Sequence, residues 1–286
     1  MKIFSGLLMT LLIGTSSVYG ASSFRYPPTM PGATVEVYHT SDGVDLNMYI
    51  FPPDNFSPRH RYPAVIFFFG GGWNAGSPEQ FLEQSKYLAS RGMFALVADY
   101  RVASRNETKV VDCVRDAKAA IRWTRVNAQR LGIAAQRLAA SGGSAGGHLA
   151  ATTGLVPGLE HADQDLSFGS VPNALVLFNP ATILASHGDF QMDEKRIRSL
   201  EKRIGADTKT VSPIHHIAEG SPPTLIFHGD ADTTVSIESA IAFTEAMTNA
   251  GNDCTLMQNN RTEIASIAKS TTQLQTTRCR TIVLKL

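Results

Sequence analysis

The 286-residue sequence lacks an excess of charge of either sign. Its 26 lysines and arginines nearly balance 25 aspartates and glutamates, which leaves a formal net charge of +1. The basic residues are scattered, and no run of them is long enough to form a patch. These absences remove any electrostatic reason to expect a nucleic acid or an anionic membrane as partner. The charge pattern instead favours a small-molecule partner.

Cysteine is also scarce, which limits metal and redox chemistry. The three cysteines are Cys113, Cys254 and Cys279, and none belongs to a C-x-x-C pair. Three cysteines cannot all pair within one chain, so their pairing is left open. The adjacent histidines His215 and His216 invite a metal interpretation, but no nearby acid or cysteine has ligand spacing. We therefore expect no metal and no cofactor.

Long apolar runs are absent after the first twenty residues. Met1 and Lys2 give a positive start, residues 3–14 are nearly free of polar groups, and small residues precede Ala21. This pattern predicts a secretory signal peptide over residues 1–20, because its apolar core is short for a bilayer span. An uncleaved membrane anchor is the alternative. The mature chain is expected to be secreted or periplasmic, with no membrane contact once the signal peptide is removed.

The remaining chain alternates between short apolar runs and helical patterns. Residues 35–38 and 44–51 alternate as an antiparallel strand pair does. Further strands and helices are predicted at 64–69, 79–90, 94–98, 110–131, 137–140, from 144, 174–178, 224–227, 236–249 and 254–258. This order predicts one α/β domain over residues 21–258, with a mostly parallel sheet and helices on both faces. The polar segment 181–201 interrupts the order and is expected to cover a substrate cleft.

A G-x-S-x-G motif follows the strand at 137–140 and precedes a helix. Its residues are Gly142, Ser144 and Gly146. In this context the chain passes through a strained turn that presents the serine hydroxyl as a nucleophile. A glycine-rich turn with a serine N-cap is the structural alternative. A phosphate-binding loop fits less well, since the glycine spacing matches no dinucleotide fingerprint and no lysine follows.

A run of three glycines ends the earlier strand at 64–69 and is followed by Trp73. Its open backbone allows amides to approach a substrate oxygen. The predicted oxyanion donors are the N–H groups of Gly71, Gly72 and Ala145, the residue directly after the serine. A flexible turn without a catalytic role is the alternative for this run.

The strand at 224–227 is followed by two candidate acids, Asp230 and Asp232. A carboxylate at this place would orient a catalytic imidazole and stabilise its protonated form. Asp232 is preferred because it lies in the turn after the strand, and Asp230 is interpreted as a turn or cap residue.

Together these motifs resemble the hormone-sensitive-lipase-like branch of the α/β-hydrolases, most of all its secreted acetyl-xylan and feruloyl esterases. Further similar segments are 112–118, 122–123, 131–133 and 212–214, so the resemblance runs from about residue 34 to 258. It implies an α/β-hydrolase fold and cleavage of small-molecule or polysaccharide esters through an acyl-enzyme. One departure is Phe69, where many relatives have a histidine that supports the loop.

The resemblance also implies a triad histidine after the last strand, and the sequence has none there. All eight histidines precede Asp232, and the last is His228. His148 and the pair His215–His216 are alternative bases, although neither comes from the expected position. Residues 259–286 lack glycine, proline and aromatic residues, which makes them an atypical tail and the C-terminal part of the fold incomplete or aberrant. Two functional hypotheses follow: the protein is an esterase with impaired activity, or it is a non-catalytic binding protein. A separate hypothesis is that the tail arises from a reading-frame shift near codon 258.

Overall fold

A computed structural model describes residues 26–259. The predicted signal peptide, Cys279 and the predicted tail beyond Asn259 lie outside the described residues. The strands, in chain order, are β1 (Thr34–Ser41), β2 (Val44–Phe51), β3 (Tyr62–Phe68), β4 (Phe94–Ala98), β5 (Ile133–Gly143), β6 (Ala174–Phe178), β7 (Thr224–Gly229) and β8 (Cys254–Asn259).

These strands form one sheet of eight in the order β1-β2-β4-β3-β5-β6-β7-β8. The first two make an antiparallel hairpin across Asp42 and Gly43, both with positive φ, as a tight hairpin turn requires. β2 is antiparallel to β4, and every later neighbouring pair is parallel. The predicted mostly parallel sheet with an antiparallel edge pair is therefore confirmed.

Helices connect the strands at the predicted places, with four differences, the first of which is an unpredicted four-residue helix at Ala103–Asn106. They are α1 (Leu82–Ser90), α2 (Ala103–Asn106), α3 (Val110–Val126), α4 (Ala128–Leu131), α5 (Ala145–Leu155), α6 (Glu194–Ile204) and α7 (Ile237–Asn249), with 3-10 turns at Pro78–Phe81, Thr208–Val211 and Pro213–His216. The helix predicted from residue 79 begins as the first of these 3-10 turns.

The helix predicted over residues 110–131 is divided at Asn127. The Asn127 side-chain Nδ2 and its backbone N–H both donate to the Trp123 carbonyl, at 2.9 and 3.0 Å. A side chain that donates to a backbone carbonyl in this way competes with the backbone hydrogen bonds of the helix. α6 was not predicted, because its charged residues conceal an apolar stripe formed by Ile197, Leu200 and Ile204.

The core lies on both faces of the sheet, since successive strand residues point to opposite sides. On one face, Ile66 and Phe68 of β3 belong to the cluster that packs under α3, α5 and α7. On the other face, Val65 and Phe67 belong to the cluster that includes Leu88 of α1. No helix in the described part combines the length and the apolar character that a bilayer crossing requires.

Candidate active site

Ser144 occupies a strained turn between β5 and α5. Its backbone has φ 54° and ψ −117°, outside the regions that a residue with a side chain normally adopts. Its N–H donates to the Phe178 carbonyl at 2.9 Å, and its own carbonyl accepts from the His148 N–H at 3.0 Å. These bonds hold the turn from strand and helix at once, so the strain is imposed by the surrounding fold.

Glycine on either side of Ser144 is required by close backbone approach. A Cβ on Gly142 would lie 2.4 Å from the Gly146 carbonyl carbon, and one on Gly146 would lie 2.0 Å from the Phe68 carbonyl oxygen. Both distances are far shorter than carbon–carbon or carbon–oxygen contact. The G-x-S-x-G spacing therefore reflects the tight passage of the chain from β5 into α5 beside the end of β3.

The three-glycine run lies beside this turn because β3 and β5 are neighbours, with Phe68 opposite Gly142. The Gly70 N–H donates to Gln80 Oε1 at 2.6 Å, which anchors the start of the run. Gly71 and Gly72 have φ of 133° and 61°, and a Cβ on Gly71 would lie 2.1 Å from the Ala75 carbonyl oxygen. Within residues 26–259 neither N–H group donates to a protein acceptor, so both can serve a substrate oxygen.

Phe69, the departure from the family pattern, packs as an apolar support under this run. Its ring stacks on Tyr100 with centroids 4.1 Å apart, and the Tyr100 hydroxyl donates to the Phe69 carbonyl at 2.7 Å. Stacking and hydrogen bonding fix the loop where relatives use a histidine.

Ser144 opens into a cleft of about 600 Å³ that segment 181–203 covers. The lining is mixed and combines apolar side chains with the cations of α6. The lining residues are Gly72, Trp73, Ser144, Ala145, Ala181, Ile183, Leu184, Phe190, Met192, Asp193, Lys195, Arg196, Ser199, Leu200, Arg203, Thr233, Thr234, Val235, Ser236 and Ser239. A volume of this size is ordinary for a small-molecule site.

The two candidate acids differ sharply in burial. Asp230 is exposed, whereas the Asp232 side chain is 1% exposed. Asp232 Oδ1 accepts from the N–H groups of Thr234 and Val235, at 2.9 and 3.0 Å. Asp232 therefore lies in a fixed, fully hydrogen-bonded position beneath the loop that lines the cleft.

Asn179 is a site residue that the sequence reasoning missed. Its Nδ2 donates to Asp232 Oδ2, its N–H donates to the Phe227 carbonyl at 2.8 Å, and its φ is 44°. It directly follows the carbonyl of Phe178 that holds Ser144, so it connects the acid to the serine turn. The available signal was an asparagine between a buried strand and a proline, a residue type that tolerates positive φ.

None of the described histidines lines the cleft. His148 is completely buried, where its Nδ1 accepts from Trp73 Nε1 at 3.2 Å and its Nε2 donates to the Val211 carbonyl at 2.7 Å. Burial lowers the pKa of His148 to about 4. With both ring nitrogens occupied, His148 supports the turn from beneath and has no free nitrogen for Ser144.

The alternative bases His215 and His216 do not line the cleft either, nor does His228, and His216 Nε2 lies 2.8 Å from the Lys209 carbonyl. His215 pairs with Ser212 Oγ at 3.0 Å and with the Ser186 carbonyl at 3.2 Å. His228 Nε2 is 3.7 Å from Asp232 Oδ2 but lies 2.8 Å from the Val235 carbonyl. Burial lowers the pKa of His228, which keeps this ring neutral inside the sheet.

A group of possible metal ligands lies outside the cleft. His39, His161 and Asp163 place candidate ligand atoms within 4.8 Å of one another. His161 Nε2 already bonds Asp116 Oδ1 at 2.9 Å, and its ring lies 4.3 Å from that of His39, tilted by 41°. None of the three residues lines the cleft, so the group plays no part in the chemistry at Ser144.

Comparison with known proteins places the chain among esterases. A family profile described as BD-FAE matches residues 48–247. Esterase LipC of Mycobacterium tuberculosis is 28% identical over 206 residues, covering 66% of this chain and 49% of the relative. A second protein of the same organism, named "Probable carboxylic ester hydrolase LipM", is 27% identical over 65% of this chain and 44% of its own length. The chain thus spans about half the length of these curated relatives.

Solved structures agree over nearly the whole length. The native form of a thermophilic esterase from Thermogutta terrifontis is 47% identical with a TM-score of 0.85, covering 91% of this chain and 94% of that one. Its butyrate-bound form gives 47% identity and a TM-score of 0.86, over 91% and 96% of the two chains. At this identity the likeness extends beyond a shared fold to a shared family.

Proposed function

The chain belongs to the BD-FAE family of α/β-hydrolases, and we propose that it is a carboxylic-ester hydrolase acting through an acyl-enzyme on Ser144. The observation that carries this proposal is the Ser144 backbone, held at φ 54° beside two glycine amides that donate to no described residue. Strain of this kind persists where the surrounding structure enforces it, and it is concentrated at functional sites.

The proposed reaction begins with attack of Ser144 Oγ on the ester carbonyl carbon. The carbonyl oxygen becomes an oxyanion that the N–H groups of Gly71, Gly72 and Ala145 stabilise, each such donor contributing about 100- to 1000-fold in rate. Collapse of the intermediate breaks the bond to the alcohol, which leaves with a proton, and water then cleaves the acyl-enzyme. Asp232 is the group that would orient the imidazole that moves these protons.

That imidazole is the missing part. The sequence contains no histidine after His228, and none of the described histidines lines the cleft. Loss of a triad histidine lowers kcat by about a millionfold, and the oxyanion donors and binding alone retain roughly 10³–10⁴-fold over water. The chain as printed is therefore proposed to be a weak esterase whose nucleophile and oxyanion donors are intact.

A non-catalytic binding protein is the second candidate, and the missing histidine is the observation that favours it. Hydrolysis of 4-nitrophenyl acetate by the wild type and by Ser144→Ala, with and without added imidazole, separates the two. Because free imidazole can accept the serine proton, we expect it to raise the wild-type rate above that of Ser144→Ala. The Ser144→Ala variant with added imidazole measures hydrolysis by imidazole itself. The Ser104→Ala variant, which changes an exposed serine outside the cleft, should behave as wild type. Equal rates for wild type and Ser144→Ala would exclude the serine mechanism.

The nucleotide sequence of the gene can show why the triad histidine is missing. A reading-frame shift near codon 258 predicts that another frame encodes a glycine–histidine segment and an amphipathic helix. Reading the DNA in the other two frames decides this, and their absence from both would remove the frameshift explanation.

Substrate class and location complete the proposal. Acetyl or feruloyl esters of polysaccharides are the proposed substrates, supported by the resemblance of the motifs. Secretion or periplasmic export is supported by residues 1–20, which have the pattern of a signal peptide. N-terminal sequencing of the exported protein should begin at Ala21, and a retained Met1 would contradict export by cleavage.

A further inference from the structure

A second cavity of about 600 Å³ lies beside the cleft that contains Ser144. The two share Gly72, Trp73, Ser199 and Arg203, so a ligand can extend from one into the other. The second cavity is formed where α6 faces the start of α3. Its remaining lining residues are Asn74, Ala103, Thr108, Lys109, Val110 and Lys202.

The helix α6 sorts its charges between the cavities and solvent. Its cations Lys195, Arg196, Lys202 and Arg203 line one or both cavities. Its acids Glu194 and Glu201 line neither. Arg198, the remaining cation of the helix, also lines neither cavity and instead pairs with Glu194 at 2.9 Å. The cations that border the cavities are exposed, and they are separate from the Glu194–Arg198 pair.

The four α6 cations that line the cavities lack acidic partners. Within residues 26–259 none of the four, nor Lys109 on the opposite wall, forms an ion pair with a carboxylate. The one acid in either lining is Asp193, whose side chain accepts from the Arg196 N–H at 2.8 Å to cap α6. Because the whole chain carries a net charge of only +1, this concentration of positive charge is local to the site.

The groups of the second cavity are also arranged to receive hydrogen-bond acceptors. Lys109 Nζ donates to the Lys202 carbonyl at 3.2 Å, which holds its ammonium against the end of α6 with further N–H groups free to bind. Arg203 is held by the Gly72 carbonyl and lies over the Trp73 ring, 5.4 Å from its centroid. Thr108 Oγ1 is buried without a hydrogen-bond partner among the described residues.

We propose that the second cavity binds a carboxylate on the non-reacting part of the substrate, so that the preferred esters are those of acidic molecules such as uronates. This inference rests on the proposed function of the Ser144 cleft. Lys109, Lys202 and Arg203 neutralise the carboxylate, and Thr108 Oγ1 supplies a further donor. Charge-assisted hydrogen bonds of this kind are about twice as strong as neutral ones.

Binding to the Ser144→Ala protein tests the cavity independently of turnover. Isothermal titration calorimetry compares D-glucuronate with D-glucose, which differ in the carboxylate. We expect glucuronate to bind about tenfold more tightly, a preference that falls as salt screens the partly exposed charges. Replacing both lysines in a Lys109→Gln/Lys202→Gln double variant should remove most of the preference, because Arg203 is then the one cation of the cavity that remains. The matched control is Lys86→Gln, an exposed lysine of α1 outside both cavities, which should retain it.

Two outcomes overturn the inference. One is equal affinity of the Ser144→Ala protein for glucuronate and glucose, and the other is a glucuronate preference that the double variant retains. A second measurement, acetate release by the wild type from acetylated glucuronate and acetylated glucose with added imidazole, separates the two proposals. Release without discrimination refutes the cavity alone, whereas glucuronate preference in binding without release from either ester supports the cavity and refutes the catalytic proposal.

Discussion

At the scale of single residues, the most constrained position in the structure is the turn around Ser144. Two glycines allow the backbone to pass within contact distance of the Phe68 and Gly146 carbonyl groups. The serine is held at a positive φ by the hydrogen bond that its N–H donates to β6 and the one that its carbonyl accepts from α5. The geometry of the proposed nucleophile thus depends on neighbours that have no side chain.

Gly146→Ala should disrupt this turn. The added Cβ would lie 2.0 Å from the Phe68 carbonyl oxygen, which forces β3 and α5 apart. We expect a loss of at least about 2 kcal/mol in the free energy of unfolding, as overpacking of a tight site typically causes. Urea unfolding measures it. Gly169→Ala is the control, since its nearest neighbour would be 3.5 Å away, and an equal loss in both variants would contradict the tight passage.

Asp232→Asn, compared with Asp230→Asn, tests which of the two acids is held in the buried hydrogen-bond network. The new amide would place an N–H₂ group against either the Asn179 Nδ2 donor or the two backbone donors of Thr234 and Val235. An unsatisfied buried donor costs about 1–3 kcal/mol, so urea unfolding should detect a clear loss. The exposed Asp230→Asn should change stability by less than about 0.5 kcal/mol. A larger effect at Asp230 would reverse the assignment.

At the scale of elements, the site is built where neighbouring strands end. The glycine run after β3, the serine after β5, Asn179 after β6 and Asp232 after β7 meet because these four strands are consecutive in the sheet. Their loops follow the carboxyl ends of parallel strands, which is where open α/β sheets place their ligands. α6 then covers the cleft and supplies its positive charge.

His148 of α5 connects this helix to the glycine loop and to a 3-10 turn. The dependence of stability on pH should therefore report on the packing of these three elements. His148 bonds Trp73 of the glycine loop and Val211 of a 3-10 turn from within α5. Burial lowers its folded-state pKa from 6.5 to about 4. The unfolded chain therefore binds the proton first, so stability is retained above pH 6.5 and is lost progressively as pH falls from 6.5 toward 4.

This loss should reach about 3 kcal/mol at pH 4, given 1.36 kcal/mol for each pKa unit. Urea unfolding between pH 4 and 7 measures it. His148→Gln should be less stable at pH 7 and should show a shallower pH dependence in this window. His60→Gln, at an exposed histidine, is the control variant. A His148→Gln slope equal to that of wild type would show that another group carries the dependence.

At the scale of the whole molecule, one of the two core clusters, the one that packs under α3, α5 and α7, encloses both described cysteines. Cys113 lies in the cluster under α3, and Cys254 begins β8. Burial raises the pKa of Cys113 well above its usual range and that of Cys254 to about 11. A protonated, enclosed thiol is a poor nucleophile.

Labelling of these thiols should therefore require global unfolding. We expect N-ethylmaleimide to modify Cys113 and Cys254 at least about 100-fold more slowly in buffer than in urea, since reaction depends on opening of the core. Mass spectrometry of the digested protein assigns the label to each cysteine. Fast labelling of Cys113 in buffer would contradict its enclosure.

The sequence by itself determined the fold and the places where chemistry is expected. The alternation of apolar runs and helical patterns predicted the sheet, because strand and helix periodicity is a local property. The spacing of Gly142, Ser144 and Gly146 predicted the strained turn for the same reason. The sequence alone likewise shows that no histidine follows His228. The helix α6 was missed where charge masked a short apolar stripe.

Only the tertiary structure decided how residues distant in sequence share the site. The burial of Asp232, its bond from Asn179 and the engagement of both His148 nitrogens depend on the order of strands in the sheet, which local patterns do not encode. The same is true of the second cavity, where Lys109, the residue before α3, approaches Lys202 of α6. Hydrogen bonds and charges act over a few ångströms, so these contacts exist only once packing has placed the elements side by side.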